Sequence, residues 1–179
     1  VTGANRGLGR EFVSQYSNDG WQVIATYRRR ENFESLQKIG EHVFPVELDV
    51  TKSVQIDRLA KALNNHKIDL LINNAGINRK ERSIFDIEEK VWLEIMHTNA
   101  LSPVKLTKSF LGSLILSESP KVVSITSDLG SIQNSGSGGP WVYKSSKAAL
   151  NMAFKSISGE LAAKQISCAL IHPGWVRTD

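Results

Sequence analysis

The sequence predicts an α/β protein built on a doubly wound parallel sheet. Short apolar, β-rich runs alternate with stretches long enough to be crossover helices, no repeat or linker breaks the alternation, and one Gly-rich turn stands at its start. A strand joined to the next by a helical crossover pairs with it in parallel and with a right-handed connection. One domain is expected, since 179 residues can bury a sizeable core and no composition shift divides them.

The turn Thr2-Gly3-Ala4-Asn5-Arg6-Gly7-Leu8-Gly9 leads straight into a helix over 10–18, along which Leu8, Phe12 and Tyr16 recur and which Gly20 can end. Glycines let backbone N–H groups approach a pyrophosphate, and the positive end of the helix favours an anion there. A strand over 21–27 follows. An NAD site places a carboxylate at this strand's end, whereas a 2′-phosphate wants an arginine; the chain offers Arg28 and Arg29, with Arg6 in the turn. NADP(H) is therefore expected, with NAD(H) less favoured.

A short helix over 32–40 precedes a strand over 43–48, which ends in Asp49 and Val50. The Asp49 carboxylate can accept from an adenine amino group or cap the next helix, over 53–66. The apolar run from Ile68 ends in Asn73-Asn74-Ala75-Gly76, where two amides and two small residues suit close approach to a flat ligand. After a polar loop over 78–82, Asp86 is the expected N-cap of two helical segments reaching Ser117. Pro103 sits in the first turn of the second segment. Asn99, near its entry, is a poor helix former whose amide can disturb the backbone ladder.

A strand over 121–126 ends in Thr126 and Ser127, at the edge where open α/β sheets bind ligands. The Gly- and Ser-rich stretch 130–140 joins Ser127 to a long helix over 142–164, which carries Tyr143 and Lys147 one turn apart. Positions i and i+4 share a face, so the ammonium can stabilise a phenolate that otherwise forms only near pH 10. That pair is a candidate general acid/base. A strand over 166–171 and His172-Pro173-Gly174-Trp175-Val176-Arg177-Thr178 complete the chain, and Trp141 and Trp175 flank the expected site.

Bulk composition narrows the function classes. The net charge of +4 is unclustered, which argues against nucleic acid. Cys168 is the single cysteine and lies in an apolar run, so it is expected to be a buried, inert thiol in a reducing compartment, the cytoplasm. No apolar run is long enough for a membrane, and the four histidines lack metal-ligand spacing. Neither a membrane nor a metal partner is expected.

Thr2-Gly3-x3-Gly7-x-Gly9, Asn73-Asn74-Ala75-Gly76, Asn99, Ser127, Tyr143-x3-Lys147 and Pro173-Gly174, in that order, resemble the short-chain dehydrogenase/reductase family. Asn-Arg-Gly-Leu-Gly and His-Pro-Gly-Trp-Val-Arg-Thr-Asp resemble its carbonyl reductases near the sniffer and C-factor group. The resemblance implies a Rossmann fold and an NADPH-dependent reductase of ketones or aldehydes. Tyr143 would donate the proton, and Lys147 would tune it and hold the nicotinamide ribose. Ser127 would hold the substrate oxygen, and Asn99 would tie a water to Lys147.

It also implies cofactor contacts at Gly3, Asn5, Arg6, Gly7, Leu8 and Gly9, at Arg28, at Asp49 and Val50, and at Asn74, Ala75 and Gly76. Pro173, Gly174, Val176 and Thr178 would close over the ring. A homodimer or homotetramer through the helices 99–117 and 142–164 is implied too, as is a C-factor-like alternative, a cofactor sensor without turnover. Against the family pattern, the first strand is nearly absent, the last strand and substrate lid are expected to be cut away, and the segment from Ser127 to Tyr143 is long.

Overall fold

The computed structural model describes residues 1–79 and 83–176. Five parallel strands form: β1 (Val23–Tyr27), β2 (Val43–Glu47), β3 (Leu70–Asn73), β4 (Lys121–Ile125) and β5 (Ser167–Ile171). The helices are α1 (Gly7–Asn18), α2 (Phe33–Gln37), α3 (Ser53–Ala62), α4 (Glu89–Met96), α5 (Ser102–Ser109), α6 (Leu111–Ile115) and α7 (Trp141–Ala162). The doubly wound α/β architecture is therefore present. The expected strands and helices form with ends shifted by a few residues, and the segment expected as one helix from near Asn99 to Ser117 is a π-helical turn followed by α5 and α6.

The strands fall into two ladders, β1–β2 in register Val23↔Val43 and β3–β4–β5 in register Leu70↔Lys121 and Lys121↔Ser167. Val1 and Thr2 run between them. Val1 accepts from Thr26 N at 2.9 Å on one side, and Thr2 N donates to Ile72 O at 3.0 Å on the other. So the nearly absent first strand still performs its joining role, and the order across the molecule is β2, β1, residues 1–2, β3, β4, β5. Pro45 is tolerated because β2 is an outer strand of this order, where a missing N–H costs no ladder bond.

The core divides in the same way. Val13, Leu36, Val23, Ala25 and Val43 form one cluster under α1 and α2. Ile56, Leu71, Leu106, Leu114, Val122, Leu150 and Phe154 form the other.

Helix α7 buries Val142, Ser146, Leu150 and Phe154, a stripe with four-residue spacing, which sets Lys147 against the sheet. Its end is closed by Gln165 in the left-handed region at φ 60°, with Ile166 N returning to Leu161 O at 3.0 Å.

Several local expectations change. The helix α4 starts at Glu89 with Glu88 at its N-cap, and Asp86 instead ends a short 3-10 turn. Asp49 does not cap α3, whose N-cap is Lys52; its Oδ1 accepts from Thr51 N at 2.9 Å and Thr51 Oγ1 at 2.7 Å, a local turn that competes with helix capping. Cys168 is half-buried, because alternate residues of β5 face outward. Of the expected polar loop, Lys80, Glu81 and Arg82 lie outside the described residues, as do Arg177, Thr178 and Asp179. No helix among the described residues is long and apolar enough to cross a membrane.

Candidate active site

A single open cleft of about 670 Å³ runs along the carboxyl edge of the strands. It is lined by Asn5, Arg6, Tyr27, Arg28 and Arg29, by Gly3, Gly7, Leu8, Gly9, Asp49 and Val50, and by Asn74, Ala75, Gly76, Tyr143, Lys147 and Pro173. Most residues singled out from the sequence thus border one space. Ser127 is not among its lining residues; nor are Gly174 and Val176, where the chain passes through Gly174 at φ 77° and leaves Trp175 almost fully exposed. Thr178 lies outside the described residues.

The Gly-rich turn is held by contacts that forbid a side chain. Gly3 adopts φ 63° and Gly7 φ 51°, conformations that L side chains rarely take. A Cβ on Gly9 would stand 2.2 Å from Gly3 O and 2.5 Å from Asn74 Nδ2, so α1 presses directly on the turn. No side chain caps α1, and its first turn carries no acidic residue, which leaves its N-terminal amides facing the cleft to an anion.

Thr2 latches the turn to the end of β3. Its Oγ1 accepts from Asn74 N and Ala75 N, both at 3.0 Å, while Asn74 Nδ2 donates to Thr2 O at 2.9 Å.

Lys147 is 5% exposed and donates from Nζ to Ile125 O at 2.7 Å. Burial pulls its ammonium down to about 8. The same ammonium sits 5.6 Å from the centroid of the Tyr143 ring. The Tyr143 phenol is nevertheless raised above its ordinary value: burial raises it, a hydrogen bond with the Ser127 side chain draws it down, and the Asp128 carboxylate raises it again. Desolvation of the phenol dominates, and the lowering comes from Ser127 in place of the expected lysine, which the residue spacing does not reveal.

Ser127 caps the 3-10 turn Asp128–Gly130, accepting from Leu129 N at 3.2 Å, and its Oγ donates to Asp128 Oδ1 at 3.1 Å. Gly130 brings that turn onto α7: a Cβ there would lie 2.9 Å from Lys147 Cβ and from Asn151 Nδ2. Thr126 Oγ1 donates to Asn151 Oδ1 at 2.6 Å and fixes the same junction.

Asn99 does not line the cleft. It lies in a π-helical turn, His97–Leu101, that interrupts the passage from α4 to α5. Its Oδ1 accepts from Ile77 N and its Nδ2 donates to Ile77 O, both at 2.8 Å, and to Ser146 Oγ at 2.9 Å. Both amide hydrogens are spent on structure. A Cβ on Gly76 would stand 3.4 Å from Asn99 Oδ1 and 3.8 Å from Lys147 Nζ, so these two atoms flank one point beside the cleft.

Trp141, expected to flank the site, packs against Trp92 with ring centroids 5.3 Å apart, a helix–helix contact. Ile77, Thr98, Ile125 and Thr2 were not foreseen as site residues. Ile125 works through its backbone, which a sequence motif cannot carry, whereas Thr2 had a signal in its place just before the first glycine.

A family model described as short chain dehydrogenase matches residues 1–179. The fold superimposes on the carbonyl reductase Sniffer of D. melanogaster with a TM-score of 0.91 at 32% identity, covering 99% of this chain and 80% of that one. It superimposes on an NADPH-bound carbonyl reductase from chicken fatty liver with a TM-score of 0.90 at 34% identity, covering 99% of this chain and 79% of that one. The 3-oxoacyl-[acyl-carrier-protein] reductase of Haemophilus influenzae is 32% identical over 182 residues, matching all of this chain and 74% of its own length.

Proposed function

Because this chain belongs to the short chain dehydrogenase family, we propose that it reduces a small ketone or aldehyde to the alcohol with NADPH, Tyr143 giving the proton. The observation that carries this is the continuity of one cleft from Arg6 and Arg28 to Tyr143 and Lys147. The 179 residues act in this proposal as one dinucleotide-binding domain that also holds the active site.

The residues fit the cofactor. The strained glycines and the uncapped start of α1 suit a pyrophosphate, and Arg28, joined at that end of the cleft by Arg6, suits the 2′-phosphate that distinguishes NADP(H) from NAD(H). Asp49 and Val50 border the adenine end, and Asn74, Ala75, Gly76 and Pro173 the nicotinamide end. When bound, NADPH supplies the hydride.

The chain's own groups do the rest. Tyr143 holds its proton because its phenol is raised, which is the form an acid needs at neutral pH. Ser127 and the phenol converge, so a carbonyl oxygen between them would accept two hydrogen bonds as negative charge grows on it. Lys147, anchored on Ile125 O, adds positive charge beside that oxygen. Asn99 fixes the backbone at Ile77 and the helix α7 at Ser146, which positions both groups.

The test is NADPH consumption by the full-length protein against a panel of ketones and aldehydes. Tyr143→Phe should lower kcat by about 100-fold or more while nucleotide affinity changes little. Equal rates would remove Tyr143 as the acid, and tight NADPH binding without turnover of any carbonyl would favour a cofactor sensor. The exposed apolar residues Leu93, Leu101 and Met152 on α4, the π-helical turn and α7 support a homodimer or homotetramer, which light scattering would check.

A further inference from the structure

Ser127 stands in a segment that α7 holds at three points. Lys147 Nζ donates to Ile125 O at 2.7 Å, just ahead of the serine. One turn further along the same face of α7, Asn151 Oδ1 accepts from Thr126 Oγ1 at 2.6 Å, beside the serine itself. Asn151 also takes the far end of the turn that Ser127 begins, its Nδ2 donating to Gly130 O at 3.4 Å. Both flanks of Ser127 are therefore fastened to a single side chain.

The partners fix which way that amide lies. Gly130 O is a carbonyl and can only accept, so Nδ2 must face it. Oδ1 is then left for Thr126, whose hydroxyl must donate. Thr126 is 9% exposed, so this bond is shielded from water and its loss leaves a buried hydroxyl without a partner. The contact is also close: a Cβ on Gly130 would lie 2.9 Å from Asn151 Nδ2 and from the Lys147 carbonyl carbon, so glycine is what lets the turn reach α7. Ser127 is extended (φ −154°, ψ 151°) and its Oγ accepts from Leu129 N at 3.2 Å, which leaves the serine little freedom once its flanks are set.

We propose that Asn151 is a positioning residue for the reduction: by holding Thr126 and Gly130 it sets where Ser127 stands relative to Tyr143, which rides on the same helix. Asn151 is not among the residues lining the cleft and acts only through the segment that it clamps. A displacement of about 1 Å in a reacting constellation can cost roughly 100-fold in rate, so a clamp remote from the chemistry has a kinetic signature. This role rests on the reductase reading, in which Ser127 holds the carbonyl oxygen; the clamp itself is a matter of geometry.

The experiment is steady-state carbonyl reduction by the full-length protein with NADPH, for Asn151→Leu and Thr126→Val, alone and together, each also in a Ser127→Ala background. Asn151→Leu removes both bonds and should lower kcat about 10- to 100-fold with NADPH affinity little changed. Thr126→Val, close in shape to the wild type and usable should Asn151→Leu fold poorly, removes one bond and should lower kcat less. The two together should cost no more than Asn151→Leu alone, because they break one clamp. In the Ser127→Ala background neither should lower kcat further. A wild-type kcat in both single variants, or an undiminished loss in the Ser127→Ala background, would overturn the proposal, the latter by showing that Asn151 serves the fold and not Ser127. Amide exchange gives a readout without turnover: the Leu129 and Gly130 N–H groups should exchange faster in Asn151→Leu while Val122 and Val123 in β4 keep their protection, and unchanged exchange would overturn the clamp. A wild type that turns over no carbonyl would remove the reductase reading alone and leave exchange to decide this one.

Discussion

The ammonium of Lys147 reaches past the Tyr143 ring to donate to Ile125 O at 2.7 Å, so the last carbonyl of β4 sets the depth at which α7 lies on the sheet. This side chain is 5% exposed and its ammonium falls from 10.5 to about 8. The folded protein holds a cation that it desolvates, and the bond to Ile125 only partly offsets that cost.

Lys147→Met should therefore stabilise the fold while abolishing carbonyl reduction. A pKa depressed in the folded state means that the unfolded chain binds more protons between about 8 and 10.5, so wild-type stability rises with pH across that window. The variant should lose this rise and gain about 1–3 kcal/mol at pH 7. Urea unfolding at several pH values measures both, and a variant less stable than wild type at pH 7 would show that the Ile125 bond dominates.

Asn99→Ala should destabilise by about 1–3 kcal/mol, because it leaves the N–H and C=O of Ile77 without their partner and removes the donor to Ser146 Oγ, beside a side chain only 1% exposed. Chemical denaturation gives the number. Activity should fall as well, through displacement of the Gly76 backbone.

Arg28→Ser should reduce the preference for NADPH over NADH by roughly 10- to 100-fold, the size of one charge-assisted phosphate contact. The change should fall mainly on KM, since the arginine is remote from Tyr143. A ratio of kcat/KM values that stays put in the variant would contradict the 2′-phosphate assignment.

Gln165→Gly should stabilise by about 0.5–1 kcal/mol, because φ 60° costs a residue with a Cβ and costs glycine nothing. Thermal unfolding reads the gain without touching the cleft, which is remote from the end of α7.

The legible parts of this molecule were those written as local spacing. Tyr143 and Lys147 share a helical face whatever surrounds them, and the glycines at 3, 7 and 9 are explained by φ values and contacts that no other residue permits. Asn99 was legible as a disturbance, but its form, a π-helical turn bonded to Ile77, depends on a partner over twenty positions away. Asp86 misled because α4 starts later, at Glu89, with no side-chain cap; Asp49, open between a cap and a ligand contact, accepts from Thr51 and borders the cleft, and Trp141 packs on Trp92. The raised Tyr143 phenol was invisible, since burial belongs to the whole fold.

Residues 1–2 pair with β1 through Thr26 and with β3 through Ile72, so the two ladders meet along this short segment. The cleft above draws its walls from both sides, Arg28 from one and Lys147 from the other. Any occupant spanning it is a suture, so saturating nucleotide should raise amide protection in both ladders together.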